Sequence, residues 1–200
     1  LQLGANNALG ASSTLPSLVL NGGGINGTGA TLDLNGRQLL VGAFSNQGAA
    51  LGAGVAGGLL TSSTGVGTFV SVGASGFFSG TIAGGSVAFA KTGANTLSLL
   101  GPNSYGGATL VNGGGLTLRD TGTLAATSSI ALNYATLTVD NTGLVDLADR
   151  VANSATLTLR GGTLTYLGRA QTASTETFGT LALAEGLSTL TTTPGGTGVN

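Results

Sequence analysis

Seven carboxylates are all the side-chain acid in this chain, and three of them, Asp140, Asp146 and Asp149, fall close together. Two carboxyl groups held about 5 to 10 Å apart are the equipment of a glycosidase. Asp149 is followed directly by Arg150, so a weak ion pair or plain solvation accounts for the group more simply. The chain has no His and no Cys. Imidazole acid–base catalysis, His-containing triads, thiolate metal sites and disulfides are therefore excluded. The run "GGGING" at 22–27 has the spacing G-x-G-x-x-G, yet a dinucleotide site also needs a helix opening there and an acid about twenty residues later. Neither follows. A calcium roll needs Asp soon after paired Gly, and a bound Ca²⁺ takes about six to eight oxygens; in "GGGINGTGATLD" and "NGGGLTLRD" the spacing is wrong. The expectation is no catalytic residue, no cofactor, no metal and no enzyme.

Threonines recur at the two-residue spacing of a strand in Thr136/Thr138, Thr156/Thr158 and Thr163/Thr165. Stacked, such pairs form a flat array that orders water, which resembles ice-binding solenoids. Thr is also simply a good outward-facing strand residue, and the irregular recurrence of the pairs favours that plainer reading. Asn26 opens an Asn-Gly-Thr sequon, which a bacterial source would leave idle.

The elements that carry these residues are legible in composition and period. Charged residues make up 6% of the chain, against about 25% in ordinary domains. Gly occurs 38 times and Pro 3 times, with no Gly-x-y period, so the chain is not collagenous. At 41% hydrophobic and a mean hydropathy of +0.40 it is too apolar for simple disorder. The basic residues Arg37, Lys91, Arg119, Arg150, Arg160 and Arg169 are scattered singly, which argues against a nucleic-acid partner. Asp33 and Arg37 are the only charged side chains among the first ninety residues, a weak electrostatic defence against self-association. Without Met, the chain is expected to be a segment of something longer, and no signal peptide is visible. Its most apolar tract, "GAALGAGVAGGLL", is Gly-broken and short of the roughly 18 residues of a membrane span.

Leu-x-Leu pairs recur at Leu97/Leu99, Leu116/Leu118, Leu137/Val139, Leu157/Leu159 and Leu181/Leu183. A recurrence of this kind, with a period near twenty, signals a solenoid. In "SATLTLRGG", Leu157 and Leu159 point one way and Thr156, Thr158 and Arg160 the other, the alternation of a half-buried strand. Gly interrupts every window long enough for a helix. Asn-Gly and Gly-Gly at 20–27, 34–37, 111–115 and 159–162 mark sharp corners. Asn-Gly also suits hairpins, but a recurring pattern favours identical strands stacked in parallel, Leu on Leu. The expected fold is all-β, a parallel β-helix of about 20 residues per coil. One segment spans 1–200, a rod on the order of 50 Å long, with looser coils over 42–90 around Phe44, Phe69, Phe77, Phe78 and Phe89. Burying a Leu such as Leu157 stabilises its rung by roughly 1.5 to 3 kcal/mol.

The stretch "KTGANTLSLLGPNSYGGATLVNGGGLTL" at 91–118 closely resembles the autotransporter-associated β-strand repeat. That pattern runs Lys-x-Gly-x-Gly/Asn-Thr-Leu-x-Leu, then Asn-x-Tyr-x-Gly-Gly-Thr-x-Val-x-Gly-Gly-Thr-Leu. The matching positions are Lys91, Gly93, Thr96, Leu97, Leu99, Asn103, Tyr105, Gly106, Gly107, Asn112, Gly113, Gly114 and Leu116. "LLGPNSY" carries Leu-Gly-Pro where the family favours Ser-Gly-Ala, and "ATLVNGGGL" is one residue longer. Leu118, Leu137, Leu157 and Leu159 extend the repeat as its stacking residues. The resemblance implies a right-handed β-helix on the surface of a Gram-negative-type bacterium, associated with the outer membrane and related to autotransporter passengers.

The function expected is a non-catalytic stalk or fibre segment of a giant extracellular protein, prone to end-to-end or lateral self-association. An adhesin contacting glycans or neighbouring cells is the alternative, and a polysaccharide-degrading enzyme using Asp146 or Asp149 comes last.

Overall fold

The computed structural model of the chain describes residues 1–9, 15–22, 29–46, 57–73 and 75–196. Most of "GGGING", the sequon at Asn26 and most of the apolar tract at 48–60 lie outside the described residues.

Alternation forms the strands. In Thr136–Asp140, Thr156–Arg160 and Thr163–Leu167 each Leu at the second position is buried while the Thr on either side is half-exposed, because successive side chains leave opposite faces of a strand. The described residues contain no helix, and every strand pair is parallel.

Sheet one holds seven strands: β3 (Gln38–Val41), β6 (Gly67–Val72), β9 (Val87–Thr92), β11 (Thr109–Asn112), β13 (Ser129–Asn133), β15 (Thr156–Arg160) and β17 (Leu181–Leu183). Sheet two holds six: β7 (Gly76–Phe78), β10 (Thr96–Leu99), β12 (Gly115–Arg119), β14 (Thr136–Asp140), β16 (Thr163–Leu167) and β18 (Thr189–Thr193). A third sheet pairs β2 (Thr31–Asp33), β5 (Leu59–Thr61) and β8 (Thr81–Ile82), and a short ladder joins β1 (Leu18–Val19) to β4 (Phe44–Ser45). From β5 to β10 the chain visits the third sheet, sheet one and sheet two in turn. After β10 it alternates between sheets one and two, and loops take the third side.

Register stacks the core in columns. Leu39, Phe69, Phe89, Thr109, Ile130, Leu157 and Leu181 are successive partners in sheet one. Val41, Ser71, Lys91, Val111, Leu132, Leu159 and Leu183 form the column beside it. In sheet two Leu97, Leu116, Leu137, Leu164 and Leu190 stack together. Phe44, Phe69, Phe78 and Phe89 are buried in edge-to-face, tilted and stacked contacts at centroid distances of 4.2 to 6.1 Å, whereas Phe77 faces out. The 42–90 region thus carries an aromatic core.

The single column drawn through Leu137 and Leu157 is corrected by this register. Leu137 pairs with Leu164, on the strand after Leu157, while Leu157 belongs to sheet one between Ile130 and Leu181. Both sheets use Leu-x-Leu strands, and the 141–155 loop lengthens that rung, so spacing alone slips from one sheet to the other. The step between partners in sheet one is also uneven, longer from Leu39 to Phe69 than from Phe69 to Phe89. Seven strands at about 4.8 Å span roughly 30 Å from β3 to β17.

Candidate functional site

The repeat residues divide between corners and core. Leu97, Leu99, Leu116, Leu118 and Leu137 are fully buried in sheet two, and Leu157 and Leu159 in sheet one. Lys91 is also buried, alternating inward with Val87 and Phe89 at the end of β9. Its Nζ donates to the carbonyls of Thr92 (2.7 Å) and Gly93 (3.1 Å), so the ammonium closes the corner that follows. Burial lowers its pKa from the ordinary lysine value. Ser71, its partner in the column, has a buried hydroxyl with no hydrogen bond among the described residues.

The corner itself requires left-handed backbone. Gly93 and Gly113 have φ of 82° and 74°, and Gly114 has 61°. A Cβ on Gly114 would also lie 2.3 Å from the Asn95 carbonyl oxygen. Tyr134 holds the corresponding turn one rung later at φ 49°. Asn112 and Asn133 stack beside it, Asn133 Nδ2 donating to Asn112 Oδ1 at 2.7 Å.

Asn103 and Tyr105 build the third side where strands stop. Asn103 is 1% exposed; its Oδ1 accepts from Ile82 N–H at 2.9 Å and its Nδ2 donates to the carbonyls of Gly101 and Thr123. One amide thereby joins three successive rungs. Tyr105 packs edge-on against Phe89, and its hydroxyl shares a 2.6 Å hydrogen bond with Thr109, which contacts Thr127 at 2.9 Å. Burial pushes the Tyr105 phenol above its ordinary pKa. This network satisfies Thr109, which sits in a core column otherwise filled by apolar side chains. Gly106 and Gly107 N–H donate to the carbonyls of Gly84 and Val87 on the preceding rung, and a Cβ on Gly107 would meet Val87 O at 2.3 Å.

Sequence reasoning missed Arg150. It is fully buried rather than a surface partner of Asp149. Its Nε donates to Asn141 Oδ1 (2.6 Å), Nη1 to the carbonyls of Asp120 (2.9 Å) and Gly122 (2.8 Å), and Nη2 to that of Val145 (2.7 Å). Burial lowers its pKa, opposed by the charges of Glu176, Asp140, Asp120 and Asp146. Glu176 accepts from the N–H groups of Arg150 and Val151 at 2.8 and 3.0 Å, and burial raises its pKa. Nothing in the spacing around Arg150 marks it as inward, since it lies in a loop without alternation.

The three clustered acids have separate partners. Asp140 Oδ1 accepts from the N–H and hydroxyl of Thr142, and its Oδ2 lies 3.7 Å from Arg119 Nε. Asp146 accepts from Ser174 Oγ at 2.8 Å, and Asp149 occupies an exposed left-handed turn at φ 56°. No group of three or more acidic side chains is placed to hold a metal among the described residues. A cleft of about 400 Å³ opens between the inward positions Leu164, Tyr166 and Leu190 and the segment around Glu176 and Phe178. No helix of the described residues is long and apolar enough to cross a membrane. Comparison with family models, curated proteins and solved structures finds no match to the chain.

Proposed function

We propose that the chain is a right-handed β-solenoid segment acting as a non-catalytic stalk or fibre of a bacterial cell-surface protein. The observation that carries this reading is the set of parallel ladders in which each strand pairs only with the strands one visit before and after it. Such an object grows by adding rungs and makes length cheaply, and the right hand is the one that strand twist favours in parallel crossovers. The resemblance of 91–118 to the autotransporter-associated repeat supports an extracellular, outer-membrane-associated setting. Sparse charge supports self-association of such rods. Electron microscopy of the native protein from the cell surface tests this reading. Rods or filaments with a repeat near 4.8 Å along the axis are expected; compact particles would contradict it.

A further inference from the structure

The outer face of sheet two is a regular net of hydroxyls, although the Thr pairs look irregular in the sequence. Thr136, Thr163 and Thr189 are successive register partners, and so are Thr138, Thr165 and Thr191. The second column runs on through Thr117 and Ser98, and the first passes Gly115 to Thr96. Neighbouring strands set a spacing of about 4.8 Å in one direction and alternate residues one of about 6.6 Å in the other, of the same order as the oxygen repeats on faces of hexagonal ice.

Three features bear on what this face can bind. None of these hydroxyls makes a hydrogen bond within the described residues, whereas the inward or loop residues Thr109, Thr121, Thr127 and Thr142 all do. On the outer face of sheet one the corresponding column reads Val70, Ala90, Leu110, Ala131, Thr158 and Ala182, and the adjoining one carries Gln38, Thr68 and Ala88 and then Ser129 and Thr156. Hydroxyls there are interrupted by apolar residues, whereas on sheet two both columns hold threonine on three successive strands. Thr is stiff at χ1, and the backbone ladder fixes the rows, so the net needs little ordering on contact.

We infer that this threonine face binds an ordered water lattice, and that the ligand it fits is the surface of an ice crystal. Each hydroxyl takes a lattice position and each methyl sits between water molecules. A crystalline polysaccharide fits less well, because sugar rings are gripped by aromatic faces and charged hydrogen-bonding groups, and the two columns hold only Phe77, at one end. The inference rests on the strand pairings and not on the stalk reading, so either can fail alone.

The test is thermal hysteresis and ice-crystal shaping by the full chain, with Thr165→Tyr in the centre of the net and Thr158→Tyr on sheet one as the control. Far-UV circular dichroism checks the fold of each. Hysteresis and faceted crystals are expected from the native chain and the control, with loss of both in Thr165→Tyr. Should that variant misfold, Thr191→Tyr on the exposed last strand supplies the same block. A folded native chain without hysteresis or faceting overturns the inference, as does hysteresis retained in a folded face variant. Retention on crystalline cellulose or chitin without ice activity would assign the face to polysaccharide instead.

Discussion

Arg150 shows how one side chain can hold a loop-built side together. Its guanidinium satisfies the carbonyls of Asp120 and Gly122 in the turn after β12 and that of Val145 in the 141–155 loop. Arg150→Met keeps volume but leaves those acceptors buried and unpaired, at about 1 to 3 kcal/mol each before relaxation. A loss of at least about 3 kcal/mol is expected in urea unfolding, with Arg150→Lys only partly restoring it because one ammonium cannot reproduce the planar fork. Asp33 supplies the pH signature. Hydrogen bonds from Ser63, Asn35 and Gln2 hold its carboxyl down to about 2, against an ordinary value of 3.8. A folded value below the unfolded one stabilises the fold above the ordinary value, and that contribution is lost as pH falls towards 2. The thermal midpoint of the native chain should therefore fall more steeply over the acid range than that of Asp33→Asn.

At the scale of elements, the strands are legible in the sequence and their partners are not. Leu157 and Leu159 alternate with threonine plainly enough to specify a strand and its buried face. Which sheet they join depends on the length of the 141–155 loop, and the inward cation that organises that loop has no periodic mark. The repeat residues differ in this respect: the positions of Gly93, Gly113 and Gly114 follow from the corner conformation, which only a residue at ease with positive φ adopts cheaply. Asn103 and Tyr105 stand out by pattern, but their roles become visible only with Thr109 and Thr127 beside them. Gly114→Ala tests the corner. Left-handed backbone costs an ordinary residue about 1 to 2 kcal/mol, and the close Asn95 carbonyl adds to that. Chemical denaturation should show a loss above this range, and a smaller one for Gly93→Ala, whose nearest neighbour is 3.5 Å away.

For the whole molecule, stability is distributed along ladders, and each rung is buried by its neighbours. The columns need mainly Leu, Val, Ile or Phe at two positions per strand, with Ser71, Lys91 and Thr109 as polar members, so few charges and many glycines are compatible with the ladders. The stalk reading and the ice-binding face both depend on one claim, that Leu137 and its neighbours stack on the strand of Leu164 and not on that of Leu157. Because the chain has no Cys, paired cysteines test that register directly. Thr138→Cys with Thr165→Cys places Cα atoms about 4.8 Å apart on adjacent strands, within disulfide reach. Thr138→Cys with Thr158→Cys sets them on different sheets with outward side chains. Intramolecular disulfide formation under mild oxidation, read by mass spectrometry, is expected for the first pair and not the second; the reverse result would contradict the ladder and everything built on it.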